Sequence, residues 1–154
     1  MIYRADLEEQ IDYTKYYRPK RYITTLTENI FYKILLDIAK ELDLILYSQV
    51  SLYAIIEVKK EKYSKKECDE LFDDIKAKTI DFVLVDKKTN KIKICLELDD
   101  GTHKKWDRIE RDKFINKLFK DLEIPLLRYP TYKNYYKATL KKRILENIKD
   151  TYYE

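Results

Sequence analysis

Two β-rich runs joined by a short polar turn limit this chain more than any other feature. The segments "TIDFVLVD" (79–86) and "IKICLELDD" (92–100) flank "KKTNK", so residues 79–100 predict a hairpin. Side chains alternate between the two faces of a strand. In the first run, Ile80, Phe82 and Leu84 fall on one face, and Asp81, Val83 and Val85 on the other. In the second, Ile92, Ile94, Leu96 and Leu98 form one face, while Cys95, Glu97 and Asp99 line the other.

The rest of the sequence reads as elements that cover this hairpin. Ile30, Phe31, Ile34, Leu35, Ile38 and Leu42 recur at helical spacing from Thr25 to about Leu42. Thr25 and Glu28 have the spacing of a capping box at that helix's start. "LILYSQVSLY" (44–53) suits a strand, and the charged stretch 57–78 reads as an insertion with a short helix over about 65–75. A helix from about Lys105 to Leu122 carries Ile115, Leu118, Phe119 and Leu122 on one stripe. "IPLLRYP" (124–130) predicts a short buried strand, and a basic helix covers about 132–150. The order is helix, three strands, helix, strand, helix: one α/β domain over 24–154, its core about 25–130, behind an N-terminal arm at 1–23.

A length of 154 residues suits one domain and a full hydrophobic core. With 45% hydrophobic and 14% aromatic residues, the chain is not of a disordered type. Two cysteines, Cys68 and Cys95, exclude a disulfide scaffold, and their separation offers no zinc ligand set. No apolar run approaches the about 18 residues of a membrane span, and "MIYRADLEEQ" has acids where a signal peptide is apolar, so a cytoplasmic location is expected.

The net charge is only +4, but its distribution is uneven. Residues 104–154 hold 14 basic and 8 acidic residues, against 18 and 20 in the preceding part. Such a bias fits a surface facing a polyanion, and equally a solvated lysine-rich helix. In the arm, "YTKYYRPKRY" interleaves Tyr13, Tyr16, Tyr17 and Tyr22 with Lys15, Arg18, Lys20 and Arg21. Base stacking and phosphate pairing need that combination. The plainer expectation is that these tyrosines pack on the domain.

Chemistry concentrates near the hairpin. Asp81 sits on an otherwise apolar strand face, where an ionised carboxylate needs a partner or a metal. Glu97 and Asp99 emerge together at the end of the neighbouring strand. Such oxygen clusters suit Mg²⁺ or Mn²⁺. Alternatively, Glu97 and Asp99 solvate a strand end while Asp81 pairs with a lysine. His103, the only histidine, follows the acids at Gly101 and has the chemistry of an acid/base or phosphate contact near neutral pH. Arg108, Arg111 and Asp112 fall on or near the inward line of the next helix, and Arg128 lies at a strand end. The arginines suit a scissile phosphate, or an ion-pair network with Asp107 and Glu110.

The string "TENIFYKIL…YSQVSL…TIDFVLVD…CLELDDGTHKKWDRIERDKFINKLFKDLEIPLLRY" resembles the bacterial domain-of-unknown-function family 2726 over about residues 25–130. It is also similar to PD-(D/E)XK, or restriction-endonuclease-like, nucleases and to their very short patch repair branch. The resemblance implies an αβββαβ core with a mixed sheet flanked by helices. It implies that Asp81 and Glu97 are metal ligands, with the Leu98 carbonyl a third. Glu28 would sit at the edge of the site, a role hard to combine with capping, and Gln49 would reach in from the first strand. The superfamily's lysine two residues after the second acid is here Asp99, which leaves His103 and Lys104 to assist the water or balance charge. The activity so implied is Mg²⁺- or Mn²⁺-dependent hydrolysis of DNA phosphodiesters, in repair, restriction or mobile-element defence. Asp81, Glu97, Asp99, His103, Glu28 and Gln49 would be catalytic, and Arg108, Arg111, Lys104 and Arg128 would bind substrate. The arm and the C-terminal helix would hold the nucleic-acid backbone. The alternative is a catalytically inactive module of the same fold that binds nucleic acid or a protein. A homodimer is left open, and no membrane is expected.

Overall fold

A computed structural model of the chain describes residues 11–99, 105–131 and 135–148. Among these, four helices flank a mixed four-stranded sheet. Helix α1 spans Leu26–Glu41, α2 Lys65–Lys76, α3 Trp106–Asp121 and α4 Lys137–Asn147. Strands β1 (Leu44–Ser51), β2 (Thr79–Asp86), β3 (Ile92–Asp99) and β4 (Leu126–Pro130) lie side by side in chain order. β1–β2 and β2–β3 are antiparallel, while β3–β4 is parallel and connected through α3. No helix among the described residues is long and apolar enough to cross a membrane.

The two faces of the sheet carry separate cores. Phe31, Leu35 and Ile38 of α1 and Leu140 and Ile144 of α4 pack on Phe82, Leu84, Ile94, Leu96, Leu98, Leu127 and Tyr129. The Phe31 ring is central, with centroids of Phe82, Tyr129 and Tyr135 at 5.4, 5.6 and 5.1 Å. On the other face, Ile115 and Phe119 of α3 and Ile75 of α2 pack on Ile80, Val83, Val85 and Cys95, with Leu52 beside them.

Both ends of the hairpin depart from simple alternation. Ile80 packs with Val83 and Val85, not with Phe82 and Leu84 as alternation predicts. The change of parity falls at Asp81. Across β1 the pairs Ser48↔Phe82 and Val50↔Ile80 set Gln49 opposite Asp81, and Gln49 has φ 52°. A glutamine in the left-handed region costs about 1–2 kcal/mol, so the local kink is held by its surroundings. Ile92 also changes face. Pairing moves from Leu84↔Ile94 to Val85↔Ile92, which leaves Lys93 as the extra residue of a bulge.

Local chemistry sets the turns in a chain with one glycine. The Asp86 Oδ1 accepts from the backbone N–H groups of Lys88 and Thr89 at 2.9 and 2.7 Å, and Asn90 takes φ 59°. The Thr89 hydrogen bonds hold the Asp86 carboxyl below its ordinary value. Asp43 and Glu123, both at φ 56°, follow the C-caps of α1 and α3, where glycine is usual.

The arm does not behave as its plainer expectation. Around a 3-10 turn at Tyr13–Lys15, Tyr13, Tyr16, Tyr17 and Tyr22 all stand exposed. The C-terminal helix is shorter than its predicted range among the described residues. Its Lys137 and Lys141 both pair with Glu41 of α1, and Arg143 lies over the Tyr129 ring at 4.9 Å. Much of its basic charge is therefore engaged within the domain.

Candidate functional site

The kink at Asp81 and the C-terminal half of β3 border a cleft. Among the described residues it has a volume of about 680 Å³ and is lined by Thr25, Thr27, Glu28, Asp81, Glu97, Leu98, Asp107, Arg108, Arg111 and Thr131. Continuing the register Phe82↔Leu96 one step sets Asp81 opposite Glu97. The Asp81 Oδ2 accepts from the Leu98 backbone N–H at 2.9 Å, which ties the two strands at the site.

Glu97 is only 4% exposed. Its carboxyl is pushed up from 4.5 to about 8, first by burial, then by the hydrogen bond and the negative charge of the adjacent Asp81. Arg111 acts in the opposite sense. Its Nη2 donates to Glu97 Oε1 at 3.1 Å and to the Thr79 carbonyl at 2.5 Å, while Nη1 donates to Asp112 Oδ1 at 3.1 Å. The arginine network thus runs to Glu97 and Asp112. Glu110 instead pairs with Lys113.

Asp112, 8% exposed, also accepts from Arg128 Nη2 at 3.5 Å. β4 pairs Arg128 beside Glu97, on the face covered by α3, so its guanidinium meets that helix. Its Nε donates to Asn116 Oδ1 at 2.8 Å, and Arg128 is not among the cleft-lining residues. Sequence reasoning noted Asp112 on the inward line but missed Arg128 and Asn116 as its surroundings. The available signal was spacing: Asp112 and Asn116 are one helical turn apart.

Glu28 combines two roles, contrary to expectation. Its Oε2 accepts from Thr25 N–H at 2.7 Å to close the capping box, while Oε1 faces Gln49 Nε2 at 3.4 Å. Separate oxygens make this compatible with a place in the cleft wall. Arg108 lines the cleft from the first turn of α3. Asp99 ends β3 opposite Pro130, its carbonyl accepting from Thr131 N–H at 3.2 Å. His103 and Lys104 lie outside the described residues. Cys95 is buried, and burial with the charge of Glu97 pushes its thiol up to about 12, so it stays protonated and inert.

Among the described residues no group of three or more His, Cys, Asp or Glu side chains is placed to hold a metal. The site offers two adjacent carboxylates, Asp81 and Glu97, with the backbone of Leu98 beside them. This oxygen-only set fits Mg²⁺, which commonly takes one or two carboxylates and keeps several waters.

Fold and site together define an α/β domain with a paired-carboxylate cleft at the end of its central hairpin. Residues 20–148 match the model of a family described as "Protein of unknown function (DUF2726)", and the chain belongs to that family. No curated protein and no solved structure matches the chain.

Proposed function

We propose that this domain is a metal-dependent nuclease of PD-(D/E)XK type that hydrolyses phosphodiester bonds in DNA. The observation that most supports the reading is the pair Asp81 and Glu97, adjacent on two strands and open to one cleft, with Glu97 pushed up to about 8. A buried carboxyl whose charge is disfavoured by an adjacent carboxylate forms a site that a divalent cation relieves. Asp81, Glu97 and the Leu98 carbonyl would hold Mg²⁺ or Mn²⁺, which when bound polarises a phosphoryl oxygen and lowers the pKa of water. Arg108 faces the same cleft and is suited to bind the scissile phosphate. Arg111, tied to Glu97, Asp112 and Thr79, orients Glu97 and adds positive charge beside the developing phosphorane. Glu28 lines the same cleft, and Gln49 supports it through the 3.4 Å contact of its amide with the Glu28 carboxylate. Asp99 and His103 are assigned to water activation, in place of the superfamily's lysine.

A second reading, a nuclease-fold module that only binds, is favoured by the 3.1 Å ion pair of Arg111 with Glu97, which occupies one carboxylate oxygen. Cleavage of supercoiled plasmid in Mg²⁺, Mn²⁺ or EDTA separates the two. The nuclease reading expects metal-dependent nicking that Asp81→Ala and Glu97→Ala each abolish. DNA binding without nicking, unchanged by either substitution, establishes the binding module. Nicking that survives both substitutions refutes the assigned site.

A further inference from the structure

We infer that the N-terminal arm is a single-stranded DNA platform that delivers a strand to the cleft; the delivery, though not the binding, rests on the nuclease reading. Between Tyr13 and Thr27 the chain has four cations, Lys15, Arg18, Lys20 and Arg21, and no acid. Tyr13, Tyr16, Tyr17 and Tyr22 are 51, 72, 73 and 74% exposed, so their rings are not used in the core.

The aromatic cluster has its own local order. Asp12 caps the turn, its Oδ1 accepting from Thr14 N–H at 3.1 Å and Oγ1 at 2.6 Å. The Tyr13 carbonyl accepts from the N–H groups of Tyr16 and Tyr17 at 3.0 and 2.9 Å. The Tyr17 ring centroid lies 6.3 Å from Tyr13 and 6.5 Å from Tyr16, and residues Thr14–Arg18 border a groove of about 260 Å³.

Exposed rings set among cations match a strand whose base faces are unpaired, because stacking uses the π-face and the cations track phosphates. A duplex hides those base faces. A membrane surface would favour one continuous apolar face, whereas here each ring carries a hydroxyl and is flanked by charge. The arm runs directly into Thr25 and Thr27 of the cleft wall. Thr25 lies seven positions after Arg18. That reach is at most about 25 Å, or about seven stacked nucleotides at 3.4 Å each. A strand held on the arm therefore lies within about seven nucleotides of the cleft wall at Thr25.

The test is fluorescence anisotropy of the full chain, in EDTA so that cleavage does not intervene. The probes are labelled oligo-thymidine of about 20 nucleotides, longer than the site sizes of about 4–16 known for such platforms, and a duplex of equal length. The expected results are tighter binding to the single strand and about fivefold or greater weakening for each of Tyr16→Ala and Tyr17→Ala. Replacing Lys15, Arg18, Lys20 and Arg21 by Gln reduces the slope of log affinity on log salt by up to about 2.8, at about 0.7 per phosphate. Unchanged affinity in both tyrosine variants, tighter binding to duplex or to oligo-uridine, or retention on phosphatidylserine vesicles without oligo-thymidine binding would each overturn the proposal. Plasmid nicking that persists alongside such a result would leave the nuclease reading standing, and loss of nicking alone would not touch the arm.

Discussion

Glu97→Gln tests the electrostatics of the acid pair directly. The carboxyl is raised from 4.5 to about 8, so between those values the native protein keeps a proton that the unfolded chain has released. Native stability therefore falls as pH rises through this window, the reverse of an ordinary salt-bridged acid. The Glu97 side chain is 5% exposed, so solvent screening takes little from the effect. For one such group, linkage gives a loss of about 2 kcal/mol between about pH 6 and 8. With a urea slope of about 1–3 kcal/mol per molar, the midpoint drops by about 1 M. Glutamine can keep the Arg111 contact and donate to Asp81, yet it does not titrate. Urea melts of both proteins in EDTA isolate the Glu97 contribution, since every other ionisable group is common to the two. The wild type should lose about 2 kcal/mol relative to the variant across the window. A constant difference between the two proteins would refute the reasoning.

Four further outcomes follow from the same contacts. Asp112→Ala removes the acceptor of two partly exposed arginines and should lower stability by about 1–3 kcal/mol, read by urea melts; an unchanged midpoint would show the network to be inert. Phe31→Ala empties the centre of the four-ring cluster and should cost about 3–5 kcal/mol by the same measurement, a loss below about 1 kcal/mol contradicting its central place. Ser48 Oγ is buried without a hydrogen-bond partner among the described residues, so Ser48→Ala should leave stability unchanged or raise it by up to about 1 kcal/mol. Mg²⁺ at tenfold its dissociation constant should stabilise the wild type by about 1.4 kcal/mol near pH 8, seen as a higher Tm. Asp81→Asn should abolish that rise, and an equal rise in the variant would place the ion elsewhere.

Local patterns made most of the architecture legible. The hairpin turn, the capping box and the apolar stripes lie close in sequence, and β2 spans the same residues, 79–86, as its β-rich run. Alternation failed at Ile80 and Ile92, where a kink and a bulge each depend on the neighbouring strand. Asp81 and Glu97 were conspicuous because acids in apolar strands need a cause. Arg128 read as a substrate-binding candidate at a strand end because its register beside Glu97, and hence its meeting with Asp112 and Asn116, requires the β3–β4 pairing. The two roles of Glu28 were hidden for a finer reason: only the arrangement of its two oxygens makes them compatible.

The kink at Gln49 also bears on solubility. β1 ends the sheet order, so its outer row of amide and carbonyl groups is a template on which another extended chain can pair. A left-handed residue within that row breaks its regular spacing, while Val50 and Ser51 beyond it stay paired to β2. The backbone strain that brings the Gln49 amide to Glu28 thus also interrupts the pairing template of the edge strand. A substitution that straightens Gln49 would expose the protein to aggregation even if the cleft survived.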